Sequence, residues 1–175
     1  MTRFSPAHIA RYEAHYAQHP PRERPHRWQN IVERLAQGVG ATSVLDYGCG
    51  PLANLARFSA LPVMSYDPAV PAYAAEPRPA DLVVCMHMLE HVEPGYITAV
   101  LAHVWSLTRM AALVTVSCQP STKYLPDGTP WHSFINPPCW WADRLATLAM
   151  PGTCEALPVE RPEVEYGCLL RRAVS

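Results

Sequence analysis

Two kinds of apolar pattern alternate along this chain. Short, continuously apolar runs lie at 44–45, 61–66, 81–86 and 111–117. They predict buried parallel strands, since strands covered on both faces show no polar alternation. The stretches between them have apolar residues every three or four positions and predict helices. Parallel strands joined by helices form an α/β fold with right-handed crossovers. The sequence therefore predicts a mostly parallel sheet with helices on both faces.

Helical spacing of apolar residues predicts five helices. The first begins at Pro6, with Ser5 as its N-cap, and ends at the proline-rich segment 20–25. Four others are predicted: 26–37 with Gly38 as its stop, one from about Leu52, 94–108, and one around 140–148 that ends by Gly152. Two further runs, 155–159 and 164–170, predict closing strands, and the alternation in the second is typical of an antiparallel hairpin.

Length and composition narrow the functions that such a protein can have. The 175 residues, 49% of them hydrophobic, suffice for one domain with a sizeable core. A net charge of -1 gives no basic field, which makes duplex nucleic acid an unexpected partner. No apolar run approaches the ~20 residues of a membrane span. The N-terminus lacks the apolar segment of a signal peptide.

The six cysteines bear on location and on metal binding. No two have the close spacing of a zinc site or a redox dithiol. Three of them, at 49, 85 and 118, lie in or beside predicted strands, where a cysteine acts as a small buried hydrophobe. The pattern predicts no metal site and a reducing, cytoplasmic location.

The most informative stretch is Val44-Leu45-Asp46-Tyr47-Gly48-Cys49-Gly50-Pro51-Leu52. It predicts a strand, a glycine turn and a helix, because the two glycines allow a tight turn and close approach of a ligand. Asp46 stands at the strand end, where ligands of open α/β sheets bind. This stretch resembles motif I of the class I S-adenosylmethionine (SAM) dependent methyltransferases. The resemblance implies a SAM cofactor bound by Asp46, Tyr47, Gly48, Cys49 and Gly50.

One position departs from that motif, because Leu52 stands where the third glycine is usual. We expect Leu52 to narrow the pocket beside the methionine part of SAM. The departure also favours an alternative in which the protein binds SAM without catalysis. A nicotinamide dehydrogenase is a further alternative, since residues 48–53 fit Gly-x-Gly-x-x-Gly/Ala. Asp46 argues against it, as does a chain with no room for a separate substrate domain.

Asp67 ends the second predicted strand, 21 residues after Asp46. An acid at about this distance from a glycine turn suits ribose hydroxyls. In the resembled family the position binds the ribose of SAM, and Pro68 follows it here. The alternative is a plain cap of the turn before Pro68.

The run His87-Met88-Leu89-Glu90-His91-Val92 follows the third strand and resembles the same family's sequence after the strand that faces the methyl acceptor. The resemblance implies that His87 contacts both the cofactor and the methyl acceptor. His87 and His91 have three possible roles: general base, substrate ligand, or structural hydrogen bonding. Glu90 is predicted to anchor neighbouring backbone.

A long loop, 119–138, contains Trp131, His132 and Phe134 and is too aromatic for a mere connector. It resembles a loop of small methyltransferases from bacteriophage and bacterial genomes, which makes His132 the third candidate catalytic residue. Asn136-Pro137-Pro138 resembles the Asn-Pro-Pro-aromatic motif of amino-methyltransferases. The favoured interpretation is that Asn136 caps a helix with Pro137 at its first position.

The resemblance also sets the expected architecture. Only about a dozen residues, 69–80, separate two strands that in the family enclose a further helix and strand. We therefore predict a Rossmann-like sheet reduced by one strand–helix unit, with Tyr73 at the adenine. Residues 1–175 form a single domain, in which 1–40 is a helical lid and 41–175 the core. The expected acceptor is a small molecule or a nucleotide-like compound.

Overall fold

The computed structural model describes residues 2–20 and 22–173. Five α-helices and six strands follow one another: α1 Pro6–Gln18, α2 Gln29–Val39, β1 Val44–Tyr47, α3 Asn54–Phe58, β2 Val63–Tyr66, β3 Ala80–Met86, α4 Ile97–Leu107, β4 Thr108–Ser117, α5 Pro138–Ala149, β5 Thr153–Ala156 and β6 Glu165–Arg171. The strands form one sheet in the order β2-β1-β3-β4-β6-β5. β1 to β4 are parallel, and β6 runs antiparallel to both β4 and β5. The predicted α/β fold with a closing hairpin is confirmed.

Two apolar cores lie on opposite faces of this sheet, as alternate side chains of a strand require. One contains α4 and α5 and includes the fully buried Trp141. The other contains α2 and the single buried residue of α3, Leu55. A third, small cluster joins Tyr12 of α1 to Ala69, just after β2, and to Leu125 of the loop between β4 and α5. α1 therefore packs beside the carboxyl ends of the parallel strands, while α2 packs on the sheet.

The reduction of the sheet is also confirmed. Between β2 and β3, where every residue is described, the chain forms only a 3₁₀ turn at Pro71–Tyr73. Asp67 and this turn are tied together, since the Asp67 N–H donates to the Tyr73 carbonyl at 3.1 Å. β2, which pairs with β1, consequently lies at the edge of the described sheet.

Several predicted element ends move. α2 starts at Gln29 and continues past Gly38 to Gly40, which caps it with φ 69° and donates to Gln37. α3 begins at Asn54 and has only 5 residues. A 3₁₀ turn occupies 94–96 ahead of α4, and β4 begins three residues early, at Thr108.

The predicted cap at Asn136 is wrong. α5 starts at Pro138, its N-cap residue is Pro137, and no side chain caps it. Two consecutive prolines explain the shift, because a residue before a proline avoids the helical conformation: Pro137 stays extended, with φ -68° and ψ 159°, and the helix can begin only at Pro138.

Gly152 joins α5 to β5 where no side chain fits. A Cβ there would overlap the Arg171 carbonyl oxygen and lie 2.9 Å from that of Ala149. We expect Gly152→Ala to lower the free energy of unfolding by about 2–3 kcal/mol, as overpacking against backbone does. Gly38→Ala is the matched control, because its Cβ would meet nothing within 4 Å. It should stabilise α2 by about 0.5–1 kcal/mol. Urea unfolding measures both, and equal effects would contradict the packing.

Candidate active site

A cavity of about 220 Å³ lies between α1 and the carboxyl ends of β1, β2 and β3. Each of these strands contributes the residues that follow it: Gly48 after β1, Asp67 and Pro68 after β2, and His87 after β3. These four predicted cofactor residues are thus brought together. Parallel strands end at one edge of the sheet, which is the usual place for a ligand in this architecture.

The turn after β1 is held in a conformation that suits glycine. Gly48 has φ 88° and Gly50 φ 65°, both in the left-handed region. The N–H groups of Gly48 and Cys49 donate to the Tyr66 carbonyl at 2.7 and 3.1 Å, which fixes the turn to β2. A Cβ on Gly48 would overlap the side chain of Met88. Only glycine therefore leaves the cavity wall open at this position.

Asp67 is held by backbone on both carboxylate oxygens. Oδ2 accepts from the Gly50 N–H at 3.0 Å, and Oδ1 accepts from the Ala69 N–H at 2.9 Å. Tyr16 of α1 lines the same cavity as this carboxylate. Burial raises the pKa of Asp67, and these hydrogen bonds act against that shift. The result is a rigid acceptor at the cavity wall.

The other predicted cofactor residues stand back from the cavity. The Tyr47 side chain is fully buried, packs on Tyr66, and its hydroxyl lies 2.9 Å from His103 Nδ1. Asp46 is buried at the end of β1, and Cys49 and Gly50 belong to the turn. None of these four residues lines the cavity.

Leu52 and Tyr73 share a separate, shallow pocket on α3 and β2. Leu52 therefore does not narrow the cavity, contrary to the expectation from motif I. Tyr73 likewise does not reach it, and the residues that line it in that segment are Pro68 and Ala69.

Asp46 should make stability depend on pH. Burial, with the charge of Asp67, raises the pKa of Asp46 to about 7. The folded protein therefore holds a proton that the unfolded chain releases near pH 4, and stability falls as pH rises from about 4 to about 7. Each pKa unit corresponds to about 1.4 kcal/mol. The Asp46→Asn variant does not titrate here. We therefore expect its free energy of unfolding, measured in urea, to rise relative to that of the wild type by a few kcal/mol between pH 5 and pH 8. Parallel pH profiles of the two proteins would contradict this.

α1 closes one side of the cavity with aromatic side chains. Tyr12 is buried, and its hydroxyl donates to the Trp131 carbonyl at 2.9 Å. The rings of Tyr12 and Trp131 lie 5.4 Å apart, and Tyr16 covers Asp67. These contacts join α1 to the long loop. The sequence predicted a helical lid over residues 1–40 and an aromatic loop around Trp131, but it contained no signal for the contact between them.

A second cavity, of about 760 Å³, opens beside the first. Three residues line both cavities, namely His87, His91 and Trp131. His132 and Glu90 line the second one. All three predicted catalytic histidines are therefore brought together: His87 and His91 lie on the wall that the two cavities share, and the His132 ring lies 5.2 Å from that of His91.

His87 is fixed more tightly than its neighbours. Its backbone is left-handed, with φ 52°, a conformation that residues other than glycine rarely adopt. Nδ1 lies 3.2 Å from Glu90 Oε1, and Nε2 lies 2.9 Å from Glu165 Oε1. Arg27 donates to the same Glu165 oxygen at 2.5 Å. Nothing in the sequence pattern indicated that Arg27 and Glu165 would reach His87.

Glu90 anchors backbone, as predicted. Its carbonyl accepts from the N–H groups of Ser133 and Phe134 at 2.8 and 3.0 Å, and its Oε1 accepts from the Ser117 N–H at 3.2 Å. Burial alone would raise the pKa of Glu90, but the hydrogen bond from His87 and the charges of His91 and His87 outweigh it and lower the pKa. Burial also lowers the pKa of His91, which favours the neutral ring.

Both the sequence and the fold are similar to those of known methyltransferases. Residues 21–148 match the family model described as "Methyltransferase domain". No curated protein matches the sequence. The solved structure of 1,6-didemethyltoxoflavin-N1-methyltransferase from Burkholderia thailandensis, with 1,6-didemethyltoxoflavin and S-adenosylhomocysteine (SAH) bound, is similar. Its TM-score is 0.63, with 16% identity, over 96% of this chain and 89% of that one.

Two other solved structures show the same fold. Magnesium protoporphyrin IX methyltransferase from Synechocystis, with SAH bound, has a TM-score of 0.54 and 14% identity over 96% of this chain and 95% of that one. A complex of DhpI with SAM has a TM-score of 0.57 and 18% identity over 93% and 94% of the two chains. Helices that could span a membrane are not found in the described part of the chain. The family match spans most of the sequence, and the protein belongs to the methyltransferase-domain family.

Proposed function

We propose that the protein is a SAM-dependent methyltransferase that acts on a small-molecule or nucleotide-like acceptor. The observation that carries this is the convergence of Gly48, Asp67 and His87, from three strand ends, on one cavity. The solved methyltransferases of this fold hold SAM or SAH. SAM is accordingly the cofactor.

The cavity residues fit SAM by their chemistry. Asp67 is a fixed carboxylate that can accept from ribose hydroxyls, because its two backbone donors hold it in place. Gly48 presents backbone rather than a side chain at the wall. Asp46 is buried at the end of β1 close to the same turn, where a cationic ligand group would favour its ionised form. Tyr12 and Tyr16 of α1 exclude water from above the site.

SAM supplies an activated methyl group, and the protein has to hold the acceptor in line with it. Proximity and orientation can provide much of the rate. The second cavity is the proposed acceptor site, because its shared wall places any occupant next to the first cavity. Four basic side chains stand at its rim: Arg24, Arg27, Lys123 and Arg161. They suit an anionic acceptor such as a nucleotide.

His87, His91 and His132 are proposed to contact the acceptor. His87 lines both cavities and so borders the cofactor and the acceptor together. Its Nδ1 faces Glu90, and its Nε2 lies against Glu165 and Arg27, so it would take up the proton of an acceptor hydroxyl or amine only once Nε2 leaves that pair. One of the similar structures holds a small molecule of this kind, 1,6-didemethyltoxoflavin.

Transfer of labelled methyl groups tests the proposal. The purified protein is incubated with methyl-labelled SAM and pools of nucleotides, small metabolites or duplex DNA, and products are separated by mass. We expect label in a small or nucleotide-like product. The Asp67→Asn variant, which should bind SAM about 10- to 100-fold more weakly, gives the background when both proteins are assayed at a low SAM concentration. SAM binding without transfer to any pool would favour the non-catalytic alternative.

A further inference from the structure

Three groups of the kind that bind metals converge in the lining of the second cavity. One ligand atom each from Glu90, His91 and His132 lies within 4.8 Å of the other two. Glu90 and His91 are neighbours in the 3₁₀ turn Leu89–His91. His132 comes from the long loop, which is tied to the turn by the hydrogen bonds of Ser133 and Phe134 to the Glu90 carbonyl. The convergence is therefore held by backbone.

Both histidines hold their Nδ1 against a backbone carbonyl. His91 Nδ1 lies 2.8 Å from the Trp131 carbonyl, and His132 Nδ1 lies 2.7 Å from the Gln119 carbonyl. A carbonyl oxygen only accepts, so we assign the proton of each neutral ring to Nδ1. Nε2 then carries a lone pair. Metal-binding histidines are commonly held in this way, with the second nitrogen donating to a carbonyl or carboxylate.

Glu90 provides an oxygen without a partner. Its side chain is 1% exposed. Oε1 accepts from Ser117 and faces His87, but Oε2 is buried with no hydrogen-bond partner among the described residues. A buried carboxylate oxygen in this state costs free energy unless something satisfies it. A cation between Glu90 and the two histidines would do so.

We propose that Glu90, His91 and His132 bind a divalent transition-metal cation. Two imidazoles and one carboxylate form a donor set that Zn²⁺ and Fe²⁺ use, with further coordination positions left open. All three residues line the second cavity, so the open positions face it. As metal ligands, His91 and His132 would not serve as bases, and the cation would hold an oxygen atom of the acceptor instead. This last role rests on the proposed function.

Zinc binding to the tag-free, chelator-treated protein tests the site without any methyl transfer. Zn²⁺ is titrated against a chromophoric chelator, and Co²⁺ absorption reports the ligand set. We expect one equivalent to bind and to raise the melting temperature. His132→Ala and Glu90→Gln should each weaken binding at least ~100-fold, since loss of a mere supporting residue already costs about 10–100-fold. His19→Ala, an exposed histidine of the α1 end, should bind as the wild type does.

The outcomes separate this inference from the proposed function. SAH is titrated into the same metal-free samples. SAH binding without zinc binding overturns the metal site and leaves the methyltransferase in place, whereas zinc binding without SAH binding does the reverse. Unchanged zinc affinity in His132→Ala also overturns the ligand assignment. Circular dichroism checks folding, and His132→Gln replaces the alanine variant if that variant unfolds.

Discussion

Replacing Asp67 with asparagine should weaken SAH binding by about 10- to 100-fold, because hydrogen bonds to a charged partner are worth about 1.5–3 kcal/mol. Asparagine keeps the size and one acceptor oxygen, so the contact with the Gly50 or Ala69 N–H can persist. It removes the charge that the ribose hydroxyls would meet. Calorimetric titration with SAH measures the change.

Asp81→Asn is the matched control for Asp67→Asn. Asp81 Oδ2 also accepts from backbone, from the N–H groups of Thr42 and Ser43 at 2.9 and 3.1 Å. It lies near the start of β3, at the end of the strand away from His87. We expect some loss of stability and unchanged SAH affinity. Equal losses of affinity in both variants would mean that Asp67 acts through the fold and not through the ligand.

Replacing Gly48 with alanine should abolish measurable SAH binding and lower the free energy of unfolding by about 2–4 kcal/mol. Two effects add. An alanine at φ 88° is strained, at about 1–2 kcal/mol. Its Cβ would also overlap Met88 and lie 2.9 Å from the Met88 Cβ, so that the wall of the cavity must shift. Urea unfolding and SAH titration measure the two parts.

Two further variants separate strain from overlap. Gly128 has φ 83°, and a Cβ there would meet nothing within 4 Å. Gly128→Ala should therefore cost only the strain of about 1–2 kcal/mol and leave SAH binding intact. In Gly48→Ala/Met88→Ala, stability should recover in part because the overlap is relieved. Wild-type SAH affinity in Gly48→Ala alone would show that this turn does not contact the cofactor.

Local patterns were enough for the order and direction of the elements. The continuously apolar runs of β1, β3 and β4 predicted buried parallel strands, and the short segment before β3 predicted the missing strand–helix unit. Such features depend on nearest neighbours in sequence. Helix ends were less predictable, since Gly38 and Gly40 are both credible stops, and only the left-handed backbone of Gly40 decides between them.

The site required contacts that no local pattern contains. The sequence identified the histidines at 87, 91 and 132 as separate candidate catalytic residues but did not show that they meet. The loop that brings His132 to His91 is fixed by main-chain hydrogen bonds to the Glu90 carbonyl. Arg27 and Glu165 come from opposite ends of the chain to His87. The absence of a cysteine pattern led to the prediction of no metal site, although a Glu–His–His set needs no such pattern.

Calorimetric titration of the wild-type protein with SAH tests the central claim most directly. The cavity at the ends of β1, β2 and β3 is the site assigned to the cofactor, so we expect SAH to bind there at a single, saturable site. That result would justify the search for the acceptor. No binding by a sample shown to be folded would contradict the assignment of this cavity to SAM, and with it the proposed methyl transfer.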